Sequence, residues 1–360
     1  MARFGKYTSL IYGLAAVVLL EFVGLAGALA SLPSPAEAAP PAEPQPPVDT
    51  PAAEDPAAED AIPAWLVPSQ PEEPPPVQEK EKPAGERTAA EILADTTVIA
   101  HAMGSVDGEA TLNCLEGFQE QYGKGVRVFE VDLRLTADQR VVLRHDWRAG
   151  WQEGVSETAV PTLEEFLDKP LLGRYTPLSF RDLLELMEAY PDICIVTDSK
   201  FTDAEIVKLQ FTSMVQDAQA LGLSYLLDRM AVQVYDPLMF KVVDSVHHFR
   251  HYIYTLYVEG FGRTEESFRE KALFCTQNGI QGITMWDTWW DGAYAPIAAR
   301  CGIQVYTHTV NDPQQALALL ESGVAAVYTD DLTPAALEED AGEDEEEEDN
   351  HETDGEDTAQ

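Results

Sequence analysis

Eight short apolar runs recur along the middle of the 360-residue chain, and this repetition limits the possible folds more than any other feature. The runs are Thr97–Ala100, Val126–Leu133, Ile193–Thr197, Met230–Val234, Tyr252–Leu256, Gly282–Met285, Gln304–Thr307 and Ala325–Tyr328. Amphipathic segments of helical length, such as Ser179–Ala189 and Asp203–Leu221, separate the runs. Alternating strands and helices predict an α/β protein with a parallel sheet, and eight units predict a closed (β/α)8 TIM barrel. The active site of such a barrel lies at the carboxyl ends of its strands.

Segments of different composition flank the predicted barrel domain, residues 96–337. Residues 1–32 begin with basic side chains and continue as an almost wholly apolar stretch, which predicts a signal peptide or a transmembrane anchor that could bring the chain to a membrane. Residues 33–95 are rich in Pro, Ala and Glu and predict a disordered linker, whereas residues 338–360 predict a disordered acidic tail. We therefore expect an extracytoplasmic protein, either secreted or membrane-anchored.

The formal net charge of −40 narrows the range of partners. The barrel domain contains 34 acidic and 18 basic residues and so keeps −16 of that charge. Nucleic-acid phosphates are bound by positive surfaces, so we expect no nucleic-acid partner, whereas divalent cations are compatible with the charge. None of the four cysteines belongs to a C-x-x-C pair, and we expect them to be buried and reduced.

Carboxylates cluster where the predicted strands end. Glu130 and Asp132 are two residues apart near the end of the second run, so a strand directs both side chains to one face. A divalent cation between them would relieve their repulsion, and hard oxygen ligands suit Mg²⁺ or Ca²⁺. Asp198 follows the third run and offers a third carboxylate at the same mouth.

Two histidines and a lysine follow the same pattern. His101 comes directly after the first run, and a further short run, Val141–Leu143, leads to His145. Lys200 lies two residues beyond Asp198. Two histidines that flank a metal can serve as general base and general acid, while the metal and the lysine stabilise charge on a phosphoryl oxygen. The combined set predicts phosphodiester cleavage.

These residues belong to longer motifs. The first group consists of His101-Ala102-Met103-Gly104, Val128–Asp138 and Val141–Asp146, and the second of Gln304–Asp312 and Gly323–Asp331. With these motifs the chain resembles the glycerophosphodiester phosphodiesterases of the phospholipase C-like phosphodiesterase superfamily, over about residues 97–335. The resemblance implies a (β/α)8 barrel and a phosphoric diester hydrolase that acts on glycerophosphodiesters or related phospholipid head groups.

The resemblance also implies a role for each matching residue. Glu130, Asp132 and Asp198 would bind the divalent cation, Ca²⁺ or Mg²⁺. His101 and His145 would form the acid/base pair. In this family a substrate hydroxyl is thought to attack the phosphorus first, and water then opens the resulting cyclic phosphate.

Five residues are predicted to contact the substrate. By the resemblance, Lys200 would contact the phosphate, and His308 and Asn311 belong to the motif of the seventh run. Trp286 and Trp289 follow the sixth run, where their rings could hold an acyl chain or a choline-like cation, or could instead form a rigid loop packed on the barrel. The expected substrate is a small-molecule or lipid phosphodiester.

Three positions depart from the family's pattern. The usual His-Arg-Gly start is His101-Ala102-Met103-Gly104 here, so a phosphate-binding arginine is missing. Leu112 replaces a common glutamate, and His308 replaces a usual tryptophan. Two alternatives therefore stay open. One is a lipid phosphodiesterase like sphingomyelinase D or phospholipase D, which the Asp198-x-Lys200 pattern also resembles, and the other is a non-catalytic phosphate-binding module.

Overall fold

The computed structural model describes residues 78–147 and 160–338. The predicted leader at 1–32, most of the predicted linker and the predicted acidic tail after residue 338 lie outside the described residues. Within the described part of the chain, no helix combines the length and the apolar character needed to cross a membrane.

Eight parallel strands of the described chain close into a barrel, which confirms the predicted (β/α)8 fold. The strands are β1 (Val98–Ala100), β2 (Val128–Leu135), β3 (Val141–Leu143), β4 (Cys194–Ser199), β5 (Met230–Val234), β6 (His251–Thr255), β7 (Gly282–Trp286), β8 (Gln304–His308) and β9 (Ala326–Thr329). β3 is the exception, because it runs antiparallel to the end of β2. The other strands pair in chain order, and β1 closes the barrel by pairing with both β9 and β2.

Helices connect successive strands, and their first turns follow from local capping chemistry. The helices are α1 (Ala89–Leu93), α2 (Leu115–Gly123), α3 (Leu163–Leu167), α4 (Phe180–Ala189), α5 (Ala204–Leu221), α6 (Pro237–Val246), α7 (Leu256–Glu259), α8 (Glu265–Asn278), α9 (Ala295–Cys301) and α10 (Pro313–Glu321). Asp203 caps α5 and Asp236 caps α6, where each carboxylate accepts two backbone N–H groups that have no partner inside the helix.

The pairing register determines which side chains fill the barrel. Side chains that pair across parallel strands point to the same side, and the lower part of the interior is one apolar cluster. Its strand members are Ile99, Val128, Cys194, Val196, Ala231, Ile253, Tyr306, Ala326 and Tyr328. Helix α1 adds Ala89, Ile92 and Leu93 to the same cluster, so this helix covers the amino end of the barrel.

The folded domain begins before the boundary predicted at residue 96. Glu86 Oε1 lies 2.7 Å from Arg229 Nε, and both side chains are almost wholly buried. Arg229 also donates to the carbonyl oxygens of Tyr190 and Ile193, at 2.9 and 3.2 Å. The sequence does not reveal this start for two reasons. The preceding stretch is rich in Pro, and α1 is only five residues long.

All four cysteines are unpaired, as the sequence predicts. Cys114, Cys194 and Cys275 are buried, and Cys301 is half-buried. Burial raises the pKa of the Cys194 thiol to about 12, so this side chain is a neutral component of the interior rather than a reactive thiolate.

Candidate active site

Three carboxylates meet on the inner face of the barrel mouth. Asp132 of β2 pairs in register with Asp198 of β4, and Glu130 lies two residues before Asp132 on the same face. All three side chains are buried. One carboxylate oxygen from each residue can be selected so that the three atoms lie within 4.8 Å of one another. This arrangement suits the ligands of one metal ion.

Each carboxylate is held in place by a neighbour. Asn113 Nδ2 donates to Asp132 Oδ2 at 2.6 Å, and the amide oxygen of Asn113 accepts the backbone N–H of Asp132 at 2.9 Å. The Tyr235 hydroxyl donates to Asp198 Oδ1. The backbone N–H of Ala102 donates to Glu130 Oε2 at 2.7 Å, so this residue supports a carboxylate through its main chain.

The cluster contains more negative than positive charge. Lys200 Nζ lies 2.5 Å from Asp132 Oδ1 and also pairs with Asp198. Burial acts to raise the pKa of Asp132, but the nearby charges of Lys200 and His145 outweigh it and keep the pKa low. Burial and the charge of Asp132 raise the pKa of Glu130 well above its usual range. Three carboxylates beside one lysine thus leave an excess of negative charge that Glu130 relieves by holding a proton, and a divalent cation would relieve it in place of that proton.

His101 is oriented by a carboxylate from the last strand. Its Nδ1 lies 2.8 Å from Asp330 Oδ1, and Asn311 Nδ2 donates to Asp330 Oδ2 at 2.8 Å. Burial opposes the charged imidazole, but Asp330 and the charges of Glu130 and Asp132 raise the pKa of His101 to about 9. With Nδ1–H donated to Asp330, the Nε2 atom is the one available to a substrate.

His145 reaches the site through the short antiparallel strand. β3 pairs with β2 so that Leu143 lies opposite Leu133, and His145 follows two residues later. Its side chain is 46% exposed, and Nδ1 lies 3.1 Å from Asp146 Oδ2. Arg134, two residues after Asp132 on β2, donates from Nε to the carbonyl oxygen of His145 at 2.7 Å, so the His145 segment is held at the end of β2 that carries the carboxylates.

The opposite side of the mouth carries aromatic rings. Tyr257, Trp286 and His308, here called the aromatic wall, have ring centroids 4.6 to 5.6 Å apart. Thr284 Oγ1 lies 3.1 Å from His308 Nδ1, and burial lowers the pKa of His308 to about 3, so its ring is neutral at physiological pH. The Tyr257 hydroxyl lies 3.4 Å from Asp198 Oδ1, which joins the wall to the carboxylate cluster.

Two residues predicted to contact the substrate have other partners in the structure. Trp289 packs against Phe261 at a centroid distance of 5.9 Å, and the Arg263 guanidinium lies 4.6 Å from the centre of its ring. Asn311 is hydrogen-bonded to Asp330 by both its amide nitrogen and its amide oxygen, so it positions that carboxylate. These partners are not members of the aromatic wall.

The sequence did not single out three residues that the barrel brings to the site. They are Tyr235, Tyr257 and Asp330. Each follows the end of a strand by one or two residues, and each continues the alternation of inward-facing side chains along that strand. Extending this alternation past each apolar run would have found them.

No protein-family model matches the chain. Among solved structures, a protein of Silicibacter pomeroyi assigned as a glycerophosphoryl diester phosphodiesterase has a TM-score of 0.55 and 21% identity, and the match covers 67% of this chain and 93% of that one. A phosphodiesterase of Oleispira antarctica, solved with the product sn-glycerol-3-phosphate, gives 0.54 and 17%, with 68% and 96% covered. A glycerophosphodiester phosphodiesterase of Parabacteroides distasonis gives 0.52 and 18%, with 66% and 93% covered.

The chain has the fold of the glycerophosphodiester phosphodiesterases. These matches cover more than nine-tenths of each related structure, so the shared part is the whole barrel. The fold that the resemblance of the motifs implies is therefore confirmed.

Proposed function

We propose that this chain is a metal-dependent phosphodiesterase that hydrolyses glycerophosphodiesters or related phospholipid head groups. The convergence of Glu130, Asp132 and Asp198 within 4.8 Å at the mouth of the barrel carries the proposal. The shared fold supports it, and the Oleispira antarctica protein binds sn-glycerol-3-phosphate, which is the kind of product that such a reaction releases.

The residues of the cluster fit a divalent cation. Glu130, Asp132 and Asp198 supply only oxygen donors, which suit Ca²⁺ or Mg²⁺, and their excess negative charge needs a partner. A bound cation would polarise the phosphoryl oxygen and stabilise charge that develops on it. Lys200, which contacts two of these carboxylates, would place a further positive charge beside the phosphate.

His101 and His145 divide the proton transfers between them. Asp330 favours the protonated form of His101, so this imidazole is suited to donate a proton from Nε2 to the departing alcohol oxygen. His145 is more exposed and is suited to accept a proton from the attacking hydroxyl. The proton returns when water opens the cyclic phosphate and the two residues exchange roles.

The nature of the products tests the proposal and separates it from its nearest alternative. The full-length protein would be incubated with glycerophosphodiesters and lysophospholipids in the presence of Ca²⁺ or Mg²⁺, and the products identified by mass spectrometry. Glycerol phosphate and a free alcohol are expected. A lysolipid cyclic phosphate would instead indicate the phospholipase D type of reaction, and binding without turnover of any phosphodiester would indicate a non-catalytic module.

We also propose that the enzyme works outside the cytoplasm, held by or released from its N-terminal segment. The apolar stretch in residues 1–32 and the Pro-rich stretch that follows support export. Fractionation of cells that express the full chain, followed by N-terminal sequencing, would show whether the leader is cleaved. Recovery of the intact protein in the cytosol would contradict this location.

A further inference from the structure

One ring nitrogen of His308 is buried without a hydrogen-bond partner. The side chain is only 9% exposed, and Nδ1 lies 3.1 Å from Thr284 Oγ1, but Nε2 has no partner among the described residues. A buried polar atom that lacks a partner is costly to a fold, and such atoms are rare in proteins. Beside a reaction site, an atom of this kind indicates a ligand that supplies the missing hydrogen bond.

His308 faces the opening of the barrel. Tyr306, two residues earlier on β8, belongs to the apolar cluster that fills the lower interior, so His308 lies on the same inward face and nearer to the mouth. Its ring lies 4.8 Å from the Tyr257 ring, and the Tyr257 hydroxyl lies 3.4 Å from Asp198 Oδ1. His308 therefore borders the space in front of the carboxylate cluster.

The surroundings of His308 favour a neutral ligand group. Burial lowers the pKa of His308 to about 3, and the positive charges of His101 and Lys200 act in the same direction. The ring is therefore an uncharged imidazole, and these charges disfavour a cation beside it. A hydroxyl matches Nε2 whichever ring nitrogen carries the proton, because a hydroxyl both donates and accepts.

We propose that His308 Nε2 binds the terminal hydroxyl of the substrate's glycerol unit, so that a free, unacylated glycerol is needed for efficient turnover. This inference rests on the proposed phosphodiesterase function, and it selects glycerophosphodiesters over lysophospholipids as substrates. An acylated oxygen has no hydroxyl hydrogen to donate. Its acyl chain would also have to pass His308 where the Tyr257 and Trp286 rings lie only 4.8 and 4.6 Å away.

Two substrates that differ by one hydroxyl test the inference. Glycerophosphoethanolamine would be compared with the ethanolamine phosphodiester of propane-1,2-diol, which keeps the attacking hydroxyl and has hydrogen in place of the terminal hydroxyl. The wild type should show a kcat/KM for the glycerol ester higher by roughly tenfold to a hundredfold, the cost of leaving a buried polar atom unpaired. His308→Leu should bring this ratio close to one, and His308→Gln, which keeps an amide near the position of Nε2, should retain part of it.

Thr284 provides an independent variant. It lies 3.1 Å from Nδ1 and orients the imidazole, so Thr284→Val should reduce the ratio in the wild type and leave it unchanged in His308→Leu. His248→Leu is the matched control, because that imidazole is 80% exposed and bonded to Asp244, and its ratio should equal that of the wild type. Thermal melts of all variants would confirm that the barrel is folded.

Three results would overturn the inference. They are equal kcat/KM values for the two esters in the wild type, an unchanged ratio in His308→Leu, and undiminished hydrolysis of a glycerol ester that is acetylated at its terminal oxygen. In each case hydrolysis would still be observed, so the proposed function would stand.

Binding provides a readout that does not depend on turnover. If neither ester is hydrolysed, sn-glycerol-3-phosphate and the 1-phosphate of propane-1,2-diol would each be titrated calorimetrically against the full-length protein in the presence of Ca²⁺. Tighter binding of the glycerol phosphate that His308→Leu abolishes would support the hydroxyl site even though the proposed activity had failed. Equal affinity for the two phosphates, or binding of neither, would overturn the inference.

Discussion

The contact between Asp330 and His101 predicts a shifted pH profile in Asp330→Asn. Nδ1 of His101 lies 2.8 Å from the carboxylate, which helps to raise the pKa of the imidazole to about 9. A general acid loses activity as pH rises through its pKa, so the substitution should move the alkaline limb of the kcat profile to lower pH. We expect kcat at neutral pH to fall by roughly a hundredfold.

A neighbouring carboxylate offers a matched control for this experiment. Asp331 is hydrogen-bonded to Ser105 instead of to a histidine. Asp331→Asn should therefore leave the pH profile in place. A profile that moves equally in both variants, or in neither, would show that Asp330 does not position His101.

His145→Ala should abolish turnover while it preserves the fold. Its side chain is 46% exposed, so little packing is lost on truncation. Loss of a general acid or base costs roughly 10² to 10⁴ in rate. His248→Ala is the matched control, because that imidazole is 80% exposed and bonded to Asp244. Wild-type rates in His145→Ala, measured beside an unchanged thermal melt, would refute the acid/base role.

At the scale of elements, the strands and longer helices were predictable from the sequence to within two residues. Parallel strands buried on both faces appear as continuous apolar runs, and β5 coincides with its run Met230–Val234. Capping residues such as Asp203 mark where helices begin. The short helices α1 and α3 were not predicted, because five residues are too few to show a helical period.

The segment before β1 should contribute strongly to stability. Glu86 is the ion-pair partner of Arg229, and both side chains are almost wholly buried. Glu86→Ala leaves a buried guanidinium without its counter-charge, so we expect the free energy of unfolding to fall by about 3–5 kcal/mol. Glu81→Ala removes an exposed carboxylate of the same segment and should change it by less than about 0.5 kcal/mol. Equal effects in urea unfolding would contradict this role.

His251, at the start of β6, should make the fold sensitive to acid. It is buried, neither ring nitrogen has a hydrogen-bond partner among the described residues, and burial lowers its pKa from 6.5 to about 4. The unfolded chain binds the proton more tightly, so about 3 kcal/mol of stability is present above pH 6.5 and is lost as the pH falls towards 4.

Replacement of this imidazole should remove that sensitivity. Urea unfolding of the wild type and of His251→Leu would be compared from neutral pH down to pH 4, because carboxylates titrate in both proteins and cancel in the difference. The stability of the variant should decline less steeply over this range. His248→Leu, at an exposed position, should follow the wild type. Parallel curves for wild type and His251→Leu would contradict the account.

At the scale of the whole molecule, the carboxylate cluster was predictable from the sequence and the aromatic wall only in part. The ends of the apolar runs and the alternation of side chains along a strand are enough to predict the carboxylates Glu130, Asp132 and Asp198. The contacts of Tyr257 and the pairing of Asp330 with His101 depend on closure of the barrel, which joins residues far apart in the chain. Spacing alone leaves the role of Trp289 open between substrate contact and packing of the loop, because its contacts with Phe261 and Arg263 form only in the folded barrel.

The measurement that bears most directly on the central claim is hydrolysis of glycerophosphocholine by the full-length protein, chelated and then resupplied with Ca²⁺ or Mg²⁺. The account predicts no turnover after chelation, recovery with the cation, and no recovery in Asp132→Asn, which lacks one buried ligand charge. It would be contradicted if no phosphodiester were hydrolysed while calorimetry shows a bound cation and an intact fold, or if turnover persisted without any divalent metal.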